Sequence, residues 1–460
     1  MKDIDLTHWQ ARLDRAAQQT GVVGAVLGVL RLREGQPDEL VRWATGLLNA
    51  TTGRGTTVDS LFQIGSITKM WTATVIMQLV EEGRLGLDQR VTDVLPDFTF
   101  STGDLTDNVT IRHLLTHTSG LDGDLFVDTG RGDDNLAKYM EVLQAARQIY
   151  PVGAMWSYCN SGFSLLGRII EVVTGQVWDA AIRERLFAPL GLTHTVTLPE
   201  EALLFDTAVG HVVGLPTPEV TPVWGLQRNA GPAGLITASV ADLLTFARLH
   251  LRDGVTADGK RLLGAESAQA MRAWSVDATG KYPLADSWGL GFMRFDWHGA
   301  ELFGHDGQTL GQTSFLRVYP EADMAVALLT NDSAAFELSQ VIFGELFGEL
   351  CGVTISNLRE PPHDPPKLEV GPWVGTYERA ELVIDIVDDP DGPWLTTTAR
   401  GELADLDDTP VRHYRMVPAR DGLYFVVMDQ MHLNVPVWLS QLGSGERYVH
   451  LDGRAARKVS

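Results

Sequence analysis

The sequence predicts an α/β sandwich, in which a helical lobe packs on an antiparallel sheet, followed by a small antiparallel β-barrel. Strand-like segments occur near both ends of the first 350 or so positions, with helical patterns between them. After a proline-rich stretch the pattern changes to short strands at regular spacing, which is typical of a barrel or sandwich. A chain of 460 residues that is 44% hydrophobic is long enough for two or three domains with a large core.

The first domain is predicted to span residues 1–356. Apolar periodicity indicates its helices and strands, and the active site is expected between the sheet and the helical lobe. The predicted helices cover 7–20, 70–82, 111–116, 135–148, 161–174 and 334–350, and the predicted strands cover 22–32, 40–47, 313–319 and 324–330.

A linker is predicted at residues 357–368, because four prolines between positions 361 and 366 favour an extended tether. The second domain is then expected at 369–460, as a packing or gating module rather than a ligand carrier. Its predicted strands are 382–387, 394–399, 414–417, 423–428, 435–442 and 448–451.

The net charge of −22, from 59 acidic and 37 basic residues, argues against nucleic acid or an anionic membrane as the main partner, since both need a basic face. No uninterrupted apolar segment is long enough to span a membrane, and the first residues lack the pattern of a secretion signal. We therefore expect a cytoplasmic protein. Two cysteines, Cys159 and Cys351, cannot form a disulfide framework.

The most informative motif is Ser66-Ile67-Thr68-Lys69, which precedes an amphipathic run that ends at Gly83. Residues three apart share one face of a helix, so an amine would lie one turn above the hydroxyl. An amine that is neutral can take the hydroxyl proton and make the serine a nucleophile. The alternative is a serine that caps the helix, with a solvated lysine in the first turn.

Two further motifs follow in order. The first is Tyr158-Cys159-Asn160, and the second is His305-Asp306-Gly307. The order S-x-x-K, Y-x-N and H-x-G resembles the class C β-lactamase and penicillin-binding-protein superfamily of serine hydrolases. Residues 111–120 (IRHLLTHTSG) and 231–235 (GPAGL) resemble two further blocks of that family. In the related set S-x-x-K, S-D-N and K-T-G, serine stands where this chain has tyrosine, and lysine where it has histidine.

The resemblance implies that Ser66 is the nucleophile and that Lys69 and Tyr158 share its proton. The division of the base role between these two groups stays open. In the alternative, Tyr158 is a buried aromatic residue with a satisfied hydroxyl. Asn160 is expected to hold Lys69 or a substrate carbonyl through its amide.

The same resemblance places His305 where many relatives have a lysine beside the substrate. A neutral imidazole does not attract a carboxylate as a lysine does, which favours esters and amides over β-lactams. Gly307 is expected to let the substrate approach the strand closely. The backbone N–H groups of Ser66 and Gln308 are the implied oxyanion hole. Related enzymes with a C-terminal extension often carry a lipocalin-like barrel there.

Other chemistries fit the sequence less well. His113 and His117 have a metal-ligand spacing, but Leu114 stands where an H-E-x-x-H site needs glutamate. The chain has no G-x-S-x-G elbow, which argues against an α/β-hydrolase. We therefore expect no cofactor and no metal.

The sequence thus favours a serine hydrolase or acyltransferase that acts through an acyl-Ser66 intermediate on an ester or amide, with a small acyl or peptide substrate. One alternative is a penicillin-binding-protein-type thioesterase, which releases and cyclises a nonribosomal peptide and would meet its substrate on a carrier protein. A second is a β-lactamase or D-aminopeptidase. A third is a non-catalytic sensor, for which an intact Ser66, Lys69 and Tyr158 have no physical need.

Overall fold

The computed structural model describes residues 3–212, 217–278, 285–333, 335–356, 360–401, 404, 409–428 and 433–460. Helices and strands are labelled in chain order. The α-helices are α1 (Leu6–Thr20), α2 (Thr68–Glu81), α3 (Val91–Val94), α4 (Gly103–Asn108), α5 (Ile111–Leu115), α6 (Asn135–Gln144), α7 (Asn160–Thr174), α8 (Trp178–Ile182), α9 (Ala188–Leu190), α10 (Pro199–Ala202), α11 (Gly231–Gly234), α12 (Val240–Leu251), α13 (Ala265–Arg272) and α14 (Phe336–Cys351). Short 3₁₀-helices cover Gly65–Ile67, Arg228–Ala230, Pro320–Ala322 and Gly371–Trp373, and a short π-helix covers Arg183–Phe187.

The strands are more numerous, and many of them are short. In chain order they are β1 (Gly24–Arg31), β2 (Glu39–Asn49), β3 (Arg54–Gly55), β4 (Phe62–Gln63), β5 (Thr195–Val196), β6 (His211–Val212), β7 (Glu219–Val220), β8 (Thr237–Ala238), β9 (Val276–Asp277), β10 (Ser287–Trp288), β11 (Met293–Trp297), β12 (Ala300–Thr309), β13 (Gln312–Tyr319), β14 (Met324–Thr330), β15 (Gly375–Arg379), β16 (Leu382–Asp389), β17 (Gly392–Ala399), β18 (Val411–Arg415), β19 (Val417–Arg420), β20 (Leu423–Met428), β21 (Leu433–Gln441), β22 (Arg447–Leu451) and β23 (Arg454–Lys458).

The first sheet joins strands from both ends of the predicted first domain. Within the described residues it has nine strands in the order β3-β2-β1-β14-β13-β12-β11-β10-β9. Strand β1 pairs antiparallel with both β2 and β14, which confirms the predicted union of N-terminal and later strands. The sheet is central because β1 is buried along its whole length.

Alternate side chains of β1 enter two different apolar cores, as the two-residue period of a strand requires. Val26 and Leu30 belong to the core shared with α2, α7 and α12. Leu27 and Val29 belong to the core shared with α1 and α14. The helices therefore cover both faces of the sheet, and the larger core connects it to the helical lobe.

The C-terminal domain is a nine-stranded antiparallel, nearly closed barrel, in the order β18-β17-β16-β15-β23-β22-β21-β20-β19 of the described strands. Its own apolar core includes Tyr377, Val426 and Val437. The predicted fold class, a sandwich followed by a barrel, is confirmed.

The predicted linker falls partly outside the described residues, at 357–359. From 360 to 370 the backbone forms neither helix nor strand. Among the helices that the structure describes, none is both long and apolar enough to cross a membrane.

Candidate active site

Ser66 lies in a tight turn between β4 and α2. Gly65 adopts a positive φ of +52°, and a Cβ there would come 2.5 Å from the backbone nitrogen of Gln308. The 3₁₀ turn Gly65–Ile67 runs directly into α2. Ser66 is therefore held at the start of a helical segment, pressed against β12, and is partly exposed while its neighbours are buried.

Lys69 is fully buried next to Ser66. Its Nζ lies 3.0 Å from Ser66 Oγ and donates a 2.7 Å hydrogen bond to the carbonyl of Ala233. Burial, followed by the charge of Arg454, holds the pKa of Lys69 well below its usual range. A lowered pKa favours the neutral amine, whose lone pair can accept the Ser66 proton.

Tyr158 covers the same amine. The Lys69 Nζ lies 4.9 Å from the centre of the Tyr158 ring, and the tyrosine is itself buried. The tyrosine hydroxyl makes no hydrogen bond of good geometry with any described side chain or backbone group. Burial raises the pKa of Tyr158 well above its usual value, while the nearby Ser66 hydroxyl and the charge of Arg454 oppose that shift. The structure thus brings Ser66, Lys69 and Tyr158 together as the motifs predict; their catalytic roles stay a prediction.

Asn160 is the first residue of α7. Its Nδ2 donates a 2.7 Å hydrogen bond to Asp124 Oδ1, a partner that the motifs do not indicate. Lys69 instead contacts Ser66 and Ala233. The amide nitrogen of Asn160 is therefore committed to Asp124, and the expected contact with a substrate carbonyl stays a prediction.

His305 lies on β12 and is fully buried. Its ring is perpendicular to that of Trp288 at 5.6 Å and lies 6.3 Å from that of Tyr158. The Nδ1 atom is 2.5 Å from the carbonyl of Asp306, so the proton is on Nδ1, and no described group bonds to Nε2. Burial, then the Lys69 amine, lowers the pKa of His305 to about 3. The imidazole is consequently neutral at pH 7, as the sequence predicts, and it is fully buried beside Tyr158.

Gly307 allows β12 to contact the turn that holds Ser66. A Cβ at this position would come 1.9 Å from the carbonyl of Ile64 and 2.9 Å from the backbone nitrogen of Ser66. The close approach that we expected between substrate and strand is thus, in this structure, an approach between β12 and the turn that holds Ser66.

Gln308 is exposed, and its side chain donates a 3.2 Å hydrogen bond to the carbonyl of Ser333. Strand β11 pairs with β12 only from Ala300 to Gly304, so the following stretch of β12 is open toward Ser66. The Gln308 backbone lies next to Gly65. This arrangement is compatible with the predicted oxyanion hole of two backbone N–H groups.

Sequence reasoning missed the residues that surround this group. His117 has a positive φ of 57°, is fully buried, and accepts a 3.0 Å hydrogen bond on Nδ1 from the backbone of Cys159. The histidine four residues before it, His113, instead takes part in the capping box of α5. The described residues contain no group of three or more potential metal ligands.

The barrel also reaches the site, which no sequence pattern indicated. The backbone N–H of Tyr158 donates a 2.9 Å hydrogen bond to the carbonyl of Gly453, in the turn between β22 and β23. The Arg454 guanidinium lies 5.0 Å from the centre of the Tyr158 ring. His450 Nε2 lies 3.0 Å from the carbonyl of Trp156, and the backbone N–H of Ala455 donates to the Ser157 hydroxyl. The segment that carries Tyr158 is therefore packed against the second domain.

The chain is similar to known proteins over most of its length. The sequence profile of the family described as Beta-lactamase matches residues 9–340. Penicillin-binding protein 4 of Amycolatopsis lactamdurans is 46% identical over 386 residues, which cover 82% of this chain and 98% of that protein.

Two solved structures are similar in fold. The crystal structure of SurE matches with a TM-score of 0.79 and 28% identity over 99% of both chains, and SurE has also been crystallised with D-Leu. The D-amino acid amidase from Ochrobactrum anthropi SV3, complexed with L-phenylalanine amide, matches with a TM-score of 0.60 and 26% identity over 74% of this chain and 96% of the amidase. The match to SurE includes the barrel.

Proposed function

This chain belongs to the beta-lactamase family and is a serine hydrolase of the β-lactamase and penicillin-binding-protein superfamily, and on that premise we propose that it transfers acyl groups from esters or amides of amino acids or short peptides through an acyl-Ser66 intermediate. The observation that carries the proposal is the 3.0 Å separation between Lys69 Nζ and Ser66 Oγ, with the amine buried and its pKa held well below the usual range. A neutral amine in contact with a hydroxyl is the arrangement that an activated serine needs.

The proposed reaction has two halves. In the first, Ser66 Oγ attacks the substrate carbonyl while its proton passes to the Lys69–Tyr158 pair, and the oxyanion is stabilised by the N–H groups of Ser66 and Gln308. The leaving group departs with a proton from the same pair. In the second half, water or an amine attacks the acyl-enzyme, and Ser66 recovers its proton.

The substrate class is inferred from charge and from the relatives. His305 is neutral, so this position supplies no cation for a substrate carboxylate. The likeness to a D-amino acid amidase and to SurE, which was crystallised with D-Leu, supports substrates built on amino acids. We therefore place neutral acyl esters, thioesters and amides ahead of penicillins.

A second candidate changes only the acceptor. An acyl-enzyme that is captured by the substrate's own amine releases a cyclic peptide instead of an acid, as in a penicillin-binding-protein-type thioesterase. The observation that favours this candidate is the match to SurE, which extends over both domains of the chain.

One experiment tests both candidates. The protein is incubated with a panel of peptidyl and aminoacyl thioesters and esters, each with a D- or L-residue at the acyl end, with and without an added amine. Mass spectrometry then measures the acid, the amide and the cyclic product. Acid, or the amide formed with the added amine, supports the first candidate; the cyclic product supports the second candidate. Absence of all three products, together with failure of a fluorophosphonate to label Ser66, overturns the proposal.

A further inference from the structure

A buried carboxylate links the barrel to the catalytic group. Asp124 lies in the loop before α6 and is almost fully buried. It accepts hydrogen bonds from Asn160 Nδ2 at 2.7 Å, from Arg454 Nε at 2.6 Å and from Arg379 Nη1 at 3.2 Å. Asn160 belongs to the Y-x-N motif, whereas both arginines belong to the barrel.

The two arginines differ in what else they touch. The Arg454 guanidinium lies 5.0 Å from the centre of the Tyr158 ring, and the preceding residue, Gly453, accepts the hydrogen bond of the Tyr158 backbone. Arg379 lies at the β15–β16 turn, and the next residue, Ala380, donates its backbone N–H to Asp122 at 2.8 Å. Arg454 therefore faces Tyr158, whereas Arg379 bonds to Asp124 and its neighbour Ala380 bonds to Asp122.

We propose that Asp124 and Arg454 are positioning residues: the barrel places Arg454 against Tyr158 and Asp124, and Asp124 in turn orients Asn160, so that the active site is complete only with the barrel docked. The inference rests on the proposed acyl-Ser66 function. Neither side chain is assigned to a chemical step; each acts through Tyr158, Asn160 or Lys69.

The electrostatics agree with the geometry. Although burial by itself raises the pKa of Asp124, Arg454 and Arg379 together bring it below its usual value, so Asp124 is ionised. After burial, the largest contribution that lowers the pKa of Lys69 comes from Arg454, and the largest that raises it comes from Asp124. The ionisable groups that face the Lys69 amine are Tyr158, Cys159, His117, His305, Asp124 and Arg454.

Because Arg454 is a cation and Asp124 is an anion, replacing each of them by a neutral residue should shift the pKa of Lys69 in opposite directions. Arg454→Met removes a cation near Lys69, so the pKa of Lys69 rises and the neutral amine forms only at higher pH. Asp124→Asn removes an anion while keeping an oxygen that accepts from Asn160, so the pKa of Lys69 falls further. A charge several ångströms away in a partly buried site shifts a pKa by about one unit, which sets the expected size of each effect.

The test uses the full chain and measures two quantities as a function of pH. They are the second-order rate constant for labelling of Ser66 by a fluorophosphonate and kcat/KM for a p-nitrophenyl ester. The acid limb of each profile is the pH range in which the rate rises as Lys69 loses its proton. Arg454→Met should move the acid limb up by about one pH unit, and Asp124→Asn should move it down by a similar amount. Arg454→Lys keeps a cation at this position, so its acid limb should lie close to the wild-type pH. Arg379→Met is the matched control, because it removes the other cation on Asp124: whatever its effect on the plateau, its acid limb should stay at the wild-type pH.

The outcomes separate this inference from the function on which it depends. If the wild type labels at Ser66 but Arg454→Met and Arg379→Met have the same acid limb, the positioning role of Arg454 is wrong. If Asp124→Asn and Arg454→Met shift the limb in the same direction, the charge relation is wrong. If the wild type is neither labelled nor active, the proposed function itself fails.

Discussion

The backbone N–H of Tyr158 in the catalytic domain donates a 2.9 Å hydrogen bond to the carbonyl of Gly453 in the C-terminal barrel. The segment that carries a proposed catalytic group is thus held by the second domain. Tyr158 in turn lies over the Lys69 amine. The surroundings of that amine therefore depend on residues almost 300 positions after Tyr158 in the chain.

Ser66→Ala should abolish turnover and leave the fold intact, because the hydroxyl that it removes touches Lys69 and supports no core packing. The expected loss is on the order of 10⁴-fold or more. A fluorophosphonate or a β-lactam should add to Ser66 of the wild type, as mass spectrometry of the digested protein can show, and circular dichroism checks the variant's fold. Labelling of another serine, with activity retained in Ser66→Ala, would remove the assignment.

Lys69→Met and Tyr158→Phe should each reduce kcat/KM by orders of magnitude. Since both groups handle one proton, the double variant should be little slower than the slower single variant. A double-mutant cycle on kcat/KM measures this non-additivity. Losses that simply multiply would show that the two groups act independently.

His305→Lys tests the neutral position on β12. The wild type should turn over a short p-nitrophenyl ester better than nitrocefin, because a neutral imidazole offers no charge to the β-lactam carboxylate. The lysine variant should raise the ratio of kcat/KM for nitrocefin to that for the ester. A wild type that strongly prefers nitrocefin, or a ratio that does not change, would return the β-lactamase alternative.

Gly307→Ala should impair both activity and stability, because the added Cβ would come 1.9 Å from the Ile64 carbonyl and force β12 away from the nucleophile turn. We expect a loss of at least about 10²-fold in kcat/KM and a lower midpoint of thermal unfolding. Gly103→Ala is the control, since a Cβ there meets nothing within 4 Å. Equal behaviour of the two variants would mean that the strand and the turn do not need this close approach.

Asp122→Asn should stabilise the folded protein above pH 6. Burial, opposed by Arg147 and Arg379, raises the pKa of Asp122 from 3.8 to about 6. Between those pH values the folded state binds more protons than the unfolded chain, so stability falls as pH rises through the window and the full cost is present above pH 6. A shift of two units corresponds to about 3 kcal/mol. The asparagine keeps an acceptor for the Ala380 N–H.

Urea unfolding at pH 7.5 and at pH 4.5 measures this effect. The advantage of Asp122→Asn over the wild type should be large at pH 7.5 and should shrink at pH 4.5. Replacement of the exposed Asp97 by asparagine supplies the control. An advantage that is the same at both pH values would contradict the link to the Asp122 proton.

Much of the catalytic domain follows from periodicity in the sequence. The helix predicted at 7–20 is Leu6–Thr20, and the hairpin predicted at 313–319 and 324–330 is β13 and β14. The helix predicted at 135–148 ends earlier, at Gln144, because Ala145 and Ala146 close a turn that leads toward the barrel. Periodicity is strong where one face of an element is apolar and weak where the chain turns.

The barrel was predicted less completely. The strand predicted at 414–417 is divided in the structure between β18 and β19. Between them, the backbone N–H of Met416 donates a hydrogen bond to the carbonyl of Pro393. Strands β15 and β23 were not predicted, since GTYER and RAARK lack an alternation of apolar and polar residues. These two strands carry Arg379 and Arg454, so the prediction missed the elements that dock the barrel.

The sequence alone indicated which residues meet at the candidate site, because a helix places Ser66 and Lys69 on one face by local geometry and the Y-x-N and H-x-G motifs follow in an order that resembles one superfamily. Only the tertiary structure decided what surrounds that group: the Ala233 carbonyl on Lys69, the burial of His305, and the contacts of Asp124 with Asn160, Arg379 and Arg454. The physical reason is the separation along the chain between the groups that interact. A helical turn is fixed by neighbours three residues apart, whereas burial and charge pairing depend on groups that are brought together from anywhere in the chain, and these decide the pKa of the amine on which the chemistry rests.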